Sequence, residues 1–174
     1  MPPPSRAYRA LMDQAERRDF VRDHRTAIFG YNRRADGPAM TVVYYVLDPD
    51  TGDILVSTMA ERQKAKAVAR DGKVSLCVLD EHWPLTYLQV YGDAVIEDDL
   101  DAATELMRRI IVLMGEGQEV PEEKMATVRT MCADEHRVVV RITPYATFAT
   151  PPRHTHSPDD IDTLTHWTSS SQPW

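Results

Sequence analysis

The stretch that decides the fold is ILVSTMAERQKAKAVARDGKVSLCVLD, Ile54 to Asp80. Its two ends, Ile54–Met59 and Val74–Asp80, are aliphatic and β-branched, the composition of strands. Between them, Ala60, Ala65, Val68 and Ala69 are small and apolar, so a short helix can lie close against a sheet. Gly72 ends that helix. Charge is concentrated here. Arg62, Lys64, Lys66, Arg70 and Lys73 face only Glu61 and Asp71, in a chain of net charge −7. A basic knot on an acidic protein selects a compact anion over a polymer. Ser57 and Thr58 stand at the strand end just before it. Backbone N–H groups, the helix dipole and cationic side chains then aim at one anion, phosphate foremost. The same bases also suit a solvated helix face set against acidic loops. Composition alone leaves the two readings level.

Upstream, Thr26–Asn32 reads as a strand and Arg33–Pro38 as a turn, with Asp36-Gly37 suited to positive φ. Ala39–Asp48 is the strongest strand pattern in the chain. The turn Pro49–Asp53 makes it a hairpin with Ile54–Met59. Ser5 to about His24 predicts a first helix, with Ser5 as N-cap and Tyr8, Leu11, Met12, Ala15 and Val21 near one face. Downstream, Pro84 breaks the run after Asp80. Thr86–Asp98 is one long strand or two joined at Gly92, a bulge or barrel corner. Asp98, Asp99 or Asp101 caps a helix to about Met114, ended by Gly115. A second helix starts at Pro121 and reaches about Cys132. Arg137–Thr150 is the last strand. Pro151–Trp174, with four prolines and four large apolar residues, predicts a mobile tail after a domain spanning 1–150. Strands arriving mostly as hairpins, with helices inserted, predict an α+β chain. Its centre is an antiparallel sheet or small barrel with peripheral helices.

A chain of 174 residues makes one domain that buries about 70% of its unfolded surface without needing a metal or disulfide. The acidic balance argues against nucleic acid. No apolar run approaches about 18 residues, so no membrane span is expected. The N-terminus is too charged and polar for a secretory signal. Cys77 and Cys132 have no metal or redox spacing and read as thiols of a reducing cytoplasm. The His154-x-His156 pair and His166 lack a fixed carboxylate, so no metal is expected. Trp83, Tyr87 and Tyr91 can stack on a ring, although such aromatics more often serve a core or interface. No nucleophilic triad is suggested. The acidic run Asp93–Glu105 reads as a solvated loop and helix start.

The order of these parts resembles the split β-barrel superfamily of pyridoxamine 5′-phosphate oxidase-like proteins, and within it the flavin- and deazaflavin-dependent oxidoreductases. The matching pattern is a strand ending in small hydroxyl residues, then Arg62-x-Lys64-x-Lys66, a short helix, Arg70-Asp71 and the next strand. The segments DGPAMTVVYYVLDPDTGDILVST upstream and YLQVYGDAVIEDD downstream match as well, so the resemblance spans about Arg22 to Pro144. It implies a six-stranded, mostly antiparallel split β-barrel that forms a homodimer with the cofactor in the subunit groove. Ser57 and Thr58 would approach a ribityl-phosphate, and Arg62 and Lys64 would bind the phosphate with Lys66 beside them. Val42, Val43 and Tyr44 would lie along the ring. Tyr87 stands where the vitamin B6 oxidases carry a glutamine, and Gln89, on the same strand face, can substitute. The Arg-x-x-x-Arg-Leu ending of those oxidases is missing, so B6 oxidation is not expected. The implied cofactor is coenzyme F420 or FMN. F420 is favoured because its extra carboxylates would meet Lys66, Arg70 and Lys73. The implied activity is hydride transfer to or from a small organic substrate, with no catalytic side chain required. The alternatives are a flavin, deazaflavin or tetrapyrrole carrier, and a basic helix that docks an acidic protein.

Overall fold

The structure, a computed structural model, describes residues 12–80, 82, 86–149 and 169–174. In chain order the elements are α1 Gln14–Asp23, β1 Thr26–Tyr31, β2 Ala39–Tyr44, β3 Val46–Leu47, β4 Ile54–Met59 and α2 Gln63–Asp71. They continue as β5 Lys73–Asp80, β6 Thr86–Glu97, α3 Leu100–Met114, α4 Glu122–Asp134, β7 Arg137–Ala149 and β8 Ser170–Pro173. All the strand pairs are antiparallel. The α+β expectation holds, with eight strands in one sheet where six were expected.

The two extra strands have separate causes. The predicted strand Ala39–Asp48 is divided at Tyr45. Its backbone N–H donates to the carbonyl of Arg25 (3.2 Å) and its buried hydroxyl donates to that of Val21 (2.6 Å). The ladder therefore changes partner. β2 pairs with β1, β3 pairs with β4, and the strand order is β2-β1-β5-β6-β7-β4-β3. The two outer strands of this path are thus joined through one residue, which rolls the sheet onto itself. The second extra strand, β8, corrects the mobile-tail expectation for the last residues of the chain. It pairs with β7 from Ala146 to Ala149, beyond the stretch that β4 occupies. Residues 151–168, with His154, His156 and His166, lie outside the described residues, as do Ser5 and Trp83.

Helix α1 begins at Gln14 because Asp13 and Glu16 form a capping box. The Glu16 N–H donates to the Asp13 carboxylate and the Asp13 N–H to the Glu16 carboxylate, each at 2.9 Å. Asp99 caps α3 through the Ala102 N–H at 2.8 Å, and Gly72 closes α2 at φ +69°. At Gly92 the β6–β7 register shifts. A Cβ there would sit 2.4 Å from Ile142 Cγ2, so glycine is required for the bulge.

Two apolar clusters result. The inner one fills the rolled sheet with Phe29, Tyr45, Val56, Leu76, Leu88, Val90 and Ile142. The outer one packs α3 and α4, through Leu106, Ile110, Val128 and Cys132, onto Val46, Leu55 and Val139. Of the acids in Asp93–Glu105, Glu97 is half-buried against Arg141, whereas Asp101, paired with Arg129, and Glu105, paired with Arg108, stay exposed to water. Among the described residues, no helix is long and apolar enough to cross a membrane, and no cluster of metal-ligating side chains occurs.

Candidate functional site

The path from β4 into α2 places the basic segment. The Arg62 N–H donates to the Met59 carbonyl (3.0 Å), turning the chain so that Arg62 becomes the N-cap of α2. No side chain caps this helix end. Its first N–H groups and the positive end of its dipole are therefore open to an anion. The cations around it divide into two sets. Lys66 pairs with Glu61 at 2.9 Å, and Lys73 pairs with Asp93 and stands over the Tyr145 ring at 5.0 Å. Arg70 donates to the Asn32 carbonyl at 2.6 Å. Arg62 and Lys64 have no ion-pair partner among the described residues. Burial and the neighbouring Arg62 charge push the Lys64 ammonium below the usual lysine range. That is the electrostatic signature of a cation lacking its counter-ion.

The hydroxyl pair does not act together. Ser57 and Thr58 point to opposite faces of β4. Thr58 is buried, whereas Ser57 accepts from Arg137 Nη1 at 3.2 Å, a guanidinium that also reaches Met107 on α3.

The predicted ring-side residues divide by the same alternation. Val43 is buried in the inner core, so only its backbone faces outward. Val42 and Tyr44 lie on the outer face, 74% and 41% exposed. Register then brings distant residues into line. Val42 opposes Ile28, Ile28 opposes Cys77, Cys77 opposes Gln89 and Gln89 opposes Phe148. The adjacent row runs Met40, Gly30, Ser75, Tyr91, Ala146. Val42, Tyr44, Tyr87 and Gln89 therefore share one sheet face, and the Tyr91 hydroxyl donates to Gln89 Oε1 at 3.0 Å. A concavity of about 300 Å³ lies on this face, lined by Met40, Ser75, Cys77, Gln89, Tyr91 and Tyr145 among others. Met40 was missed as a site residue, although its two-residue spacing from Val42 marks it. Tyr145 carried no such signal. Burial holds both cysteines above the ordinary thiol range, so they remain neutral.

A second concavity, about 460 Å³, lies between α2 and the β1–β2 loop. Tyr31 and Asn32 line both. Lys66, Gln63 and Arg70 contribute to it from α2, whereas Arg62 and Lys64 line neither cavity.

A family model described as pyridoxamine 5′-phosphate oxidase matches residues 13–150. The chain belongs to the pyridoxamine 5′-phosphate oxidase family. The match spans all the described elements except β8. No curated protein matches the chain. Among solved structures, the conserved hypothetical protein Rv2991 from Mycobacterium tuberculosis is 27% identical, with TM-score 0.67 over 79% of this chain and 83% of that one. A protein named F420 reductase shares the fold at 21% identity and TM-score 0.51, over 71% of this chain and 88% of its own. So does HutZ, the heme storage protein from Vibrio cholerae, at 15% identity and TM-score 0.52, over 75% and 89%. The pyridoxamine 5′-phosphate oxidase fold thus carries a named reductase and a named storage protein. The fold alone does not choose between them.

Proposed function

We propose that this chain is an oxidoreductase that binds a phosphate-bearing flavin-type cofactor, with F420 as first choice and FMN as second. One observation carries the reading: among the described residues, Arg62 and Lys64 are cations without an ion-pair partner at an uncapped helix N-terminus, on a chain otherwise rich in acid. Three terms favour a phosphate there. Unmet N–H groups donate to it, the helix dipole attracts it, and it relieves the repulsion between Arg62 and Lys64. Hydride transfer is the chemistry that such a group supplies when bound. The chain's own part is to anchor the phosphate and to present the outer face of β1, β2, β5 and β6. Val42, Tyr44, Tyr87 and Gln89 on that face are the residues that would bear on a planar ring.

The same face supports a homodimer. Met40 and Val42 are 73% and 74% exposed, and Ile28 and Tyr44 add to the patch. Apolar sheet surface of this kind is ordinarily covered by a partner. A second copy covering it would turn an open face into a groove and exclude water from the ring.

The test is titration of the purified chain with F420 and with FMN, followed by addition of nitro, quinone or enone acceptors to the reduced complex. Turnover supports the proposal. Tight binding without turnover converts it to a carrier, and absence of binding to either cofactor overturns it. Replacing Arg62 or Lys64 by Ala should weaken binding about ten- to a hundredfold each, the loss of one charged hydrogen bond.

A further inference from the structure

Tyr145 stands on β7 where the sheet gives it no opposing residue from β6 or β4. In the β6–β7 ladder Tyr91 opposes Ala146 and Gly92 opposes Pro144, so Tyr145 is the extra residue of the bulge. On the other side of β7, the β4 pairing stops at Ile142. What faces Tyr145 is the end of β8: its carbonyl accepts from the Trp174 N–H at 3.3 Å. Its side chain lines the concavity of about 300 Å³, with the Lys73 ammonium 5.0 Å above the ring.

β8 itself is held lightly. It pairs with β7 alone, and Ser170, Ser171, Gln172 and Pro173 bring no large apolar side chain. Trp174, half-buried against the inner core, supplies the apolar contact. The other anchors are polar and come from α1. Gln14 Nε2 donates to the Trp174 carbonyl at 2.8 Å, Arg17 donates to the Ser170 hydroxyl at 2.7 Å, and Arg18 stands 5.7 Å over the indole ring. α1 has its own hold on the sheet, because Val21 is fully buried and its carbonyl accepts from the Tyr45 hydroxyl. Opening β8 returns the buried Arg17 charge to water, which offsets part of the bonds lost.

We propose that β8 and Trp174 form a strap that opens without unfolding α1 or the rest of the sheet, and that its closure sets the position of Tyr145 on the concavity. Trp174 is then a positioning residue that acts through the bulge. A ligand held against Tyr145 favours closure, and closure favours that ligand by the same factor. The strap stands whether or not the chain binds a flavin-type cofactor.

The experiment has two readouts on the full chain, and neither needs a ligand. Native-state hydrogen exchange should give the Trp174 amide at least about a hundredfold less protection than the amides of Val21 and Val90, as a local opening requires. NMR should report the coupling. In Trp174→Ala the signals of the Tyr145 ring and the Lys73 ammonium should move, while those of Tyr44 on β2 stay in place. Gln14→Ala leaves the core untouched and serves as the second variant. It should speed exchange at Trp174 about two- to tenfold, the loss of one hydrogen bond, and move the Tyr145 signals the same way by less. Protection at Trp174 equal to that at Val90 overturns the strap. Tyr145 and Lys73 signals that stay in place in both variants, while the β8 amides lose protection, overturn the positioning role, since the bulge then holds Tyr145 by itself.

Discussion

Arg17 is fully buried, has no carboxylate partner among the described residues, and joins three parts of the chain. Its Nε donates to the Met12 carbonyl (3.0 Å). Nη1 donates to the Thr147 hydroxyl (2.9 Å) and to the carbonyls of Thr147 and Ser170 (3.3 Å each). Nη2 donates to the Ser170 hydroxyl at 2.7 Å. Arg17→Met keeps the volume and removes every donor. The three bonds of 3.0 Å or less are worth about 1.5–3 kcal/mol each, as bonds to a charged group. The gross loss is then about 4.5–9 kcal/mol, since the two 3.3 Å contacts add little. Against this, the variant no longer buries a bare charge, a cost visible in the lowered Arg17 pKa. A net loss of about 3 kcal/mol is expected, with melting lowered by about 6–12 °C for a chain of this size. Arg17→Lys should do nearly as badly, because a point charge cannot replace the planar fork. Amide exchange should rise first at Ser170, Ser171 and Gln172, since β8 pairs with β7 alone. Thermal melts and hydrogen exchange check this. A loss below about 1 kcal/mol, or unchanged protection at β8, would show that strand pairing and Trp174 hold the C-terminus without Arg17.

Three further outcomes follow from the geometry. Lys64 binds an anion only when protonated, and its pKa is lowered in the free protein. Phosphate-cofactor affinity should therefore be full below that value and fall as pH rises through it. Measured above about pH 8, where phosphate is fully charged, the fall should disappear in Lys64→Arg; a slope identical in wild type and Lys64→Arg refutes the assignment. Gly92→Ala should cost about 1–3 kcal/mol in urea unfolding, the usual range for overpacking, because its methyl meets Ile142. Val42→Asp should give a folded monomer by sedimentation if the β1–β2 face pairs two copies, and unchanged mass would place the partner elsewhere.

What could be read from the chain was local. Strand periodicity in Thr26–Tyr31 and Ile54–Met59, the positive-φ glycine after Asp71 and the aspartate before Leu100 all act within a few residues. Each therefore leaves its mark in a short window. The capping box Asp13-x-x-Glu16 was equally local, but it lay inside a longer amphipathic pattern that drew the expected helix start back to Ser5. The basic segment was visible because its five cations lie within twelve residues.

The fate of those cations needed the fold. Lys73 is taken by Asp93 through the β5–β6 register, and Lys66 by Glu61. Only then do Arg62 and Lys64 stand out as lacking an ion-pair partner among the described residues. Arg33 and Arg34 read as turn residues until β1 and α2 packed together and set them beside Arg70. Tyr45 divides a continuous strand pattern because its hydroxyl finds Val21 and its N–H finds Arg25, partners that backbone propensity does not encode. Local sequence determined which segments are strands, helices and turns, since capping, pleating and positive φ are short-range. Tertiary structure decided which charges are neutralised and which are left to bind, because ion pairing depends on distances that only the closed sheet sets.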